Sequence, residues 1–150
     1  TASKGFKSKS TPQGTIEVPV NPLALAITAG GTFVARGFSA EQPLLVETIK
    51  QAIQHKGFAL VDVLQNCITF NHVNTVLWFK QHSYKLSDEG HNPEDRMAAL
   101  ARAFDEERLG LGLLYHSKRE AYHEDVDADK VPIIDHDLRR DLTSSYEQFM

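Results

Sequence analysis

The sequence predicts one α/β domain over residues 1–150, with a small parallel sheet and helices on both faces. Its 150 residues are 41% hydrophobic and 24% charged, the ordinary composition of a globular domain with a real core. Residues 32–38, 41–56 and 58–64 have strand, helix and strand character in turn, which is typical of a βαβ unit with a right-handed crossover. The run 58–64 is almost continuously apolar, as expected for a parallel strand covered on both faces.

The amino-terminal part is predicted to contain an arm, a helix and a strand. Residues 1–20 form an extended arm, because Lys, Ser, Gly and Pro dominate them. A helix follows, with Asn21 as cap and Pro22 at the first helical position, and it ends at the pair Gly30-Gly31. The stretch 32–38 (TFVARGF) is short and rich in β-forming residues, so it predicts a strand.

The clearest helix in the sequence covers residues 41–56. Pro43 fits its first turn, and Gly57 stands just past its end. Its predicted apolar stripe consists of Leu45, Ile49, Ala52 and Ile53. The strand 58–64 follows this helix directly.

The remaining elements are two helices, a strand and an acidic end. Residues 73–82 predict a helix with Trp78 in the core, and Asn92-Pro93 begins another helix. The predicted apolar side of that second helix is formed by Met97, Leu100, Ala101 and Phe104. The last predicted elements are a strand at 111–115, an acidic loop at 123–137 and a short amphipathic helix at 138–149.

The charge and the cysteine content limit the classes of function. A net charge of −4 argues against a nucleic-acid binder, which would normally show a basic face. No apolar run approaches the roughly 20 residues needed to span a membrane. A single cysteine cannot form an internal disulfide, which favours a reducing, cytoplasmic setting. The chain begins at Thr1 without a methionine, so we expect it to be the later part of a longer protein.

Several common site patterns are absent from the sequence. An EF-hand loop beginning at Asp125 would need Gly at its sixth place and Glu at its twelfth, where Lys130 and His136 stand. The seven histidines form no His-x-x-x-His pair, and no Cys-x-x-Cys accompanies them, so a zinc site is not expected. Walker and G-x-G-x-x-G phosphate loops are also missing.

Cys67 is the residue whose position most suggests a site. It lies just past the predicted strand 58–64, on a turn after Gln65-Asn66, and ligands collect outside the carboxyl ends of parallel strands. A lone cysteine is more often an inert, packed thiol. A nucleophilic cysteine would need a nearby histidine, for which His72 is available. The residues alone leave these interpretations open.

Five stretches of the sequence carry a family resemblance. They are GFKSKSTPQGTIE (5–17), FVARGF (33–38), IKQAIQHKGFALVDVLQNCITFN (49–71), NPEDRMAALARAF (92–104) and GLGLLYHSKREAY (110–122). With these stretches in order, the chain resembles the carboxyl-terminal half of the β subunit of 2-oxoacid:ferredoxin oxidoreductases. Those are thiamine-diphosphate, iron–sulfur enzymes that act on pyruvate or 2-oxoglutarate.

The resemblance implies a partial thiamine-diphosphate-binding fold and a role for Cys67. Cys67 matches the fourth cysteine ligand of a [4Fe–4S] cluster, whose other three ligands lie in the amino-terminal half of the family's subunit. It would carry no bond-making role, and Asn66 or the amides of Ile68 and Thr69 would tune the cluster's potential. The family often has proline where Asn66 stands here.

The resemblance also implies a reaction and a set of partners. The expected reaction is oxidative decarboxylation of a 2-oxoacid with coenzyme A, with electrons passing through the cluster to ferredoxin. The expected partners are α subunits, and γ or δ subunits, of the same enzyme. The family's Gly-Asp-Gly…Asn motif for Mg²⁺ and the diphosphate is absent, so no residue is assigned to thiamine diphosphate or Mg²⁺, and the isolated chain is expected to be inactive.

The charge and position of the amino-terminal arm give a further expectation, and one alternative function stays open. The basic arm, with Lys4, Lys7, Lys9 and Thr11, is expected near the active-site mouth, where it would hold an anionic substrate. The alternative to the enzyme is a non-enzymatic α/β interaction module in which Cys67 is a buried structural cysteine.

Overall fold

The computed structural model describes residues 4–119 and Asp135, and residues 4–119 lie in one compact unit. The elements in chain order are α1 (Pro22–Thr28), β1 (Phe33–Phe38), α2 (Gln42–Gln54), β2 (Ala59–Leu64), α3 (Val76–His82), β3 (Ser83–Lys85), a short 3-10 helix (Leu86–Glu89), α4 (Arg96–Phe104) and β4 (Leu109–His116). None of the helices among the described residues is long and apolar enough to cross a lipid bilayer. The predicted acidic loop at 123–137, apart from the exposed Asp135, and the helix at 138–149 lie outside the described residues.

The four strands form one mixed sheet in the order β2-β1-β4-β3. β1 and β2 are parallel and in register from Phe33 opposite Ala59 to Phe38 opposite Leu64, which confirms the predicted βαβ unit. β3 and β4 form a second parallel pair, with α4 in the connection between them, but β4 runs antiparallel to β1. The α/β class is therefore confirmed, while the sheet is not parallel throughout. Each crossover fixes the direction within its own pair, and nothing in the local sequence fixes the direction of one pair relative to the other.

Helices cover both faces of the sheet. Neighbouring residues along a strand point to opposite faces, so residues 34 and 37 of β1 lie on different sides. Val34 belongs to a cluster with buried residues of α1 and α4, among them Ile27 and Ala99. On the other face, a Cβ at Gly37 would stand 2.4 Å from a methyl carbon of Leu45 in α2. The predicted two-sided arrangement is confirmed.

The helix α1 begins as the sequence predicts. The Asn21 side chain accepts a hydrogen bond from the amide of Ala24 at 3.0 Å, and Pro22 occupies the first turn. The Asn21 amide group also donates to the carbonyl of Ala103 in α4 at 2.7 Å. One side chain thus caps α1 and joins it to the helix packed beside it.

The strand β2 and the helix α2 are less covered than the sequence predicts. All six residues of β1 are buried, whereas β2 is an edge strand whose Ala59 and Val63 are exposed. In α2, Thr48 is the buried residue and the predicted stripe is only partly covered, with Ile53 78% exposed. An apolar run in a parallel strand normally indicates cover on both faces, but an edge strand has a neighbour on one side only.

The helix α4 begins later and buries a different side than predicted. Asp95 caps it by accepting from two backbone amides, whereas Asn92 makes a local turn by accepting from the amide of Glu94. The buried residues are Ala99 and Ala103, while Met97 is 72% exposed. Ala99 and Ala103 belong to the same cluster as the buried residues of α1, and the predicted Leu100 is partly buried against that cluster, whereas the predicted Phe104 is 63% exposed.

The helix α3 is also shorter than predicted, because a turn precedes it. It begins at Val76, with Thr75 accepting a hydrogen bond from the amide of Trp78 as its cap. Trp78 is half-buried at the margin of a second apolar cluster and stacks on His82, with ring centroids 4.1 Å apart. The fully packed aromatic residue of this helix is Phe79 instead.

Candidate functional site

Cys67 lies in the loop that leaves the carboxyl end of β2, as predicted from the sequence. β2 ends at Leu64, α3 begins at Val76, and the residues between them form turns. The thiol of Cys67 is free and exposed. A packed structural cysteine would be buried, so the exposed thiol disagrees with the buried cysteine of the alternative interpretation.

The loop is attached to the core at both of its ends through the end of β1. Before the loop, Phe38 of β1 lies in register with Leu64, and the amide of Ser39 donates to the Leu64 carbonyl at 3.0 Å. After the loop, Phe79 of α3 contacts Phe38, with ring centroids 5.4 Å apart. Phe38 is completely buried, so it gives the loop a fixed base.

Within the loop, backbone shape is set by hydrogen bonds to one asparagine. The amide of Asn71 donates to the carbonyl of Cys67 at 2.9 Å, which closes a five-residue turn. The side-chain oxygen of Asn71 accepts from the amides of Val73 and Asn74, both at 2.9 Å. Asn71 also donates through its amide group to the side chain of Asn74 at 2.9 Å. Such local bonds are the usual way in which asparagine stabilises a turn.

A buried ion pair joins β2 to the central strand. The guanidinium Nε of Arg36 donates to a carboxylate oxygen of Asp62 at 3.0 Å, and the two residues lie in register. Arg36 is only 7% exposed, and its Nη1 atom is buried without a hydrogen-bond partner. A buried cation with an unused donor costs free energy, so Asp62 is essential to the charge balance of this part of the sheet. The signal in the sequence is one charged residue in each of two otherwise apolar strands.

The amino-terminal arm lies beside the cysteine loop. Residues 4–20 contain no helix or strand, as predicted, and Gly5 and Thr15 are joined by a backbone hydrogen bond of 2.7 Å that closes the arm into a loop. An open cleft of about 450 Å³ separates the tip of this arm from the cysteine loop. Its lining residues are Lys7, Ser8, Lys9 and Pro12 from the arm, and Thr69, Phe70 and His72 from the loop. Lys4 and Thr11, which were predicted to act with these lysines, are not among the lining residues.

His72 lines two hollows beside the cysteine loop. It lines the cleft at the arm and also a second hollow of about 320 Å³, which borders Asn66 and Ile68. Within residues 4–119, no hydrogen bond joins His72 to the sulfur of Cys67. The described hydrogen bonds therefore give no support to a nucleophilic cysteine activated by His72.

The described residues do not by themselves provide the ligands of a metal site. Among the described residues, no group of three or more His, Cys, Asp or Glu side chains could hold a metal ion. An exposed thiol on a fixed loop can supply one thiolate to an iron–sulfur cluster, which needs four ligands in all. The role of Cys67 as one of these four ligands stays a prediction.

A second polar cluster lies at the opposite end of β1, away from the cysteine loop. The Thr32 hydroxyl donates to the carbonyl of Phe58 at 3.0 Å, so the Nε2–H of His55 must donate to the Thr32 oxygen, 2.8 Å away. The rings of His55 and His116 lie 5.3 Å apart. Burial, and then the neighbouring His116, lower the pKa of His55 below its ordinary value. The described contacts of His55 are with Thr32, Phe33 and His116, and none of these residues belongs to the cysteine loop.

Two family models match consecutive parts of the chain. The model for the thiamine pyrophosphate enzyme, C-terminal TPP binding domain, matches residues 1–63. The model for the C-terminal region of the pyruvate ferredoxin oxidoreductase β subunit matches residues 67–130. The boundary between the two matches falls at the end of β2, where the cysteine loop begins.

Relatives with similar sequences are subunits of oxidoreductases. The 2-oxoacid:ferredoxin oxidoreductase subunit beta of Sulfolobus sp is 38% identical over 95% of this chain and 50% of that protein. The corresponding subunit of Saccharolobus solfataricus is 35% identical over 88% of this chain and 47% of that protein. The chain therefore spans about half the length of the curated relatives that it matches.

A solved structure is similar to this chain in fold. It is the 2-oxoglutarate:ferredoxin oxidoreductase from Magnetococcus marinus with 2-oxoglutarate, coenzyme A and succinyl-CoA bound. The TM-score is 0.81 at 28% identity, covering 100% of this chain and 51% of that one. Fold and matches together define a domain of the thiamine-diphosphate enzyme class. Within that class, the chain belongs to the 2-oxoacid:ferredoxin oxidoreductase β-subunit family and matches the carboxyl-terminal part of the family's β subunit.

Proposed function

We propose that this chain is the part of a 2-oxoacid:ferredoxin oxidoreductase β subunit that supplies one thiolate, Cys67, to a [4Fe–4S] cluster. The observation that carries the proposal is the exposed thiol on a loop fixed at both ends, in a chain that belongs to this family. The whole enzyme would oxidatively decarboxylate a 2-oxoacid with coenzyme A and pass electrons to ferredoxin. When bound, thiamine diphosphate with Mg²⁺ supplies the decarboxylation chemistry, and the cluster carries electrons away one at a time.

The described residues have limited roles in that reaction. Cys67 holds iron, and β2 with the ion pair Arg36–Asp62 fixes the strand from which its loop departs. No residue of the chain is assigned to thiamine diphosphate or Mg²⁺. One thiolate cannot hold four irons, so three further cysteines would come from protein beyond this sequence, and the isolated chain is expected to carry no stable cluster.

The arm contributes positive charge beside the same loop. Lys7 and Lys9 face Thr69, Phe70 and His72 across the cleft of about 450 Å³. Ammonium groups in such a cleft attract anions, and both a 2-oxoacid and coenzyme A are anionic. We therefore assign the cleft to the approach of an anionic substrate. The partners would be α subunits, and γ or δ subunits, of the same enzyme, with ferredoxin as electron acceptor. The setting would be the cytoplasm, where free thiols persist.

The test is Cys67→Ser in the complete enzyme that contains this chain. We expect thiamine diphosphate binding to stay close to wild type and iron content to fall, since serine oxygen is a poor substitute for a thiolate. Iron analysis and electron paramagnetic resonance measure the cluster, and calorimetry measures cofactor binding. Gln65→Ala, an exposed change in the same loop, is the matched control and should keep its iron. Full cluster occupancy in the serine variant would show that Cys67 is no ligand and would overturn the proposal.

A further inference from the structure

We propose that Asn71 is a positioning residue for Cys67, which sets the direction in which the thiol leaves the loop. The inference rests on the proposed role of Cys67 as a cluster ligand. It concerns a residue that contacts no cofactor and acts only through the turn. The loop comprises residues 65–75. Among its side chains, that of Asn71 is the one that accepts hydrogen bonds from two backbone amides.

The first part of the argument is that packing does not hold the loop. Ile68 is 77% exposed, and Phe70 and Val73 are exposed as well, so no apolar side chain next to Cys67 is anchored in the core. The fixed points are Leu64 before the loop and Phe79 after it. The shape of the segment between them must come from its own hydrogen bonds.

The second part is that these hydrogen bonds converge on Asn71. Its backbone amide holds the carbonyl of Cys67 at 2.9 Å, which fixes the peptide plane that follows the cysteine. Its side-chain oxygen holds the amides of Val73 and Asn74, both at 2.9 Å, and so keeps Asn71 itself in the turn. The Cα–Cβ bond of Cys67 therefore has one preferred direction before any metal binds, as expected for a preorganised ligand.

The geometry selects informative variants. Asn71→Asp keeps the oxygen that accepts from Val73 and Asn74 and loses only the donor to the Asn74 side chain. Asn71→Leu has a similar volume and loses every side-chain hydrogen bond. Asn74→Ala is the matched control, because it removes only the bond between the two asparagine side chains.

The experiment uses the complete enzyme with cluster bound and measures the rate at which a chelator removes iron, together with the paramagnetic resonance spectrum of the reduced cluster. Loss of an outer hydrogen-bonding residue typically weakens metal binding by about tenfold or more, so we expect Asn71→Leu to lose iron about tenfold faster and to show shifted g-values. Asn71→Asp and Asn74→Ala should stay within about twofold of wild type, because the turn persists. A purely structural role elsewhere in the fold would leave the g-values unchanged.

The outcomes separate this inference from the proposed function. If Cys67→Ser retains its iron, the proposed function fails and this inference fails with it. If Cys67→Ser loses iron but Asn71→Leu behaves like Asn74→Ala, only the role of Asn71 is overturned. If Asn71→Leu does not fold, Asn71→Ala, which removes the same side-chain hydrogen bonds without an added apolar branch, takes its place: iron release about tenfold above the wild-type rate supports the role, and release at the wild-type rate overturns it.

Discussion

At the scale of single residues, the two charged side chains inside the sheet show how the cysteine loop is attached. Arg36 and Asp62 would each be costly alone in apolar strands, and together they join the edge strand to the central one. The Nη1 atom of Arg36 still lacks a partner. The pair therefore specifies the register of β2 against β1 more than it adds to the free energy of unfolding. A one-residue shift of β2 would separate the two charges.

His55 gives a prediction about pH at the same scale. Its pKa in the folded chain is lowered from the ordinary 6.5, so the unfolded chain takes up a proton more readily than the folded chain. The contribution of His55 to stability is therefore complete above pH 6.5 and decreases as the pH falls below that value. We expect His55→Gln to reduce the loss of thermal stability between pH 7.5 and 5.5, measured as Tm by calorimetry. His72→Gln, which alters an exposed histidine of the cysteine loop, is the control. An unchanged pH profile in His55→Gln would contradict the assignment.

At the scale of elements, one glycine allows α2 to lie on the sheet. A Cβ at Gly37 would stand 2.4 Å from the end of the Leu45 side chain, far inside van der Waals contact. β1 and α2 are consecutive elements of the βαβ unit, and the same strand end carries Phe38, which holds the cysteine loop. Neighbouring residues of β1 thus contact α2 and the residue that follows the cysteine loop.

We expect Gly37→Ala to lower the free energy of unfolding by about 1 kcal/mol, because the added methyl group displaces only the end of the partly buried Leu45 side chain. Urea denaturation measures this change. Adding Leu45→Ala should remove the clash, so the double variant should be more stable than the sum of the two single effects predicts. Strict additivity would mean that the two residues do not meet as described.

At the scale of the whole molecule, α2 and the edge strand β2 expose several large apolar side chains. β2 is an edge strand with exposed Val63, and the neighbouring flank of α2 exposes Val46, Ile49 and Ile53. Thr48 and Gln51, on the opposite flank of α2, line a hollow shared with β4, so the isoleucines lie towards β2. An exposed apolar patch beside an unpaired strand edge is typical of a surface that normally contacts more protein.

The isolated chain is accordingly expected to self-associate. Ile53→Lys should raise the monomer fraction, because it places a charge on the most exposed residue of the apolar flank of α2. Met97→Lys changes an equally exposed apolar residue on α4 and should have little effect. Sedimentation velocity over a range of concentrations measures the association. A well-behaved monomer for the unchanged chain would contradict the expectation.

The sequence determined the local elements and the place of the cysteine. Asn21 and Pro22 specify the start of α1, and the spacing of two apolar strands around α2 specifies a parallel pair. Such features depend on residues close together in the chain, so a sequence pattern is sufficient to predict them. The position of Cys67 beyond the end of β2 follows from the same kind of information.

The tertiary structure alone decided which faces are buried and which residues hold the site. The apolar pattern of α4 does not show that Ala99 and Ala103 face α1 while Met97 points outwards. The three-residue strand β3 and the antiparallel placement of β4 depend on contacts between distant segments, and so do the links from Phe38 to both ends of the cysteine loop. Burial is a property of what packs against a side chain, and residues far apart in the chain provide that packing. For this reason the sequence located the thiol, and only the folded structure showed which residues attach its loop to the core.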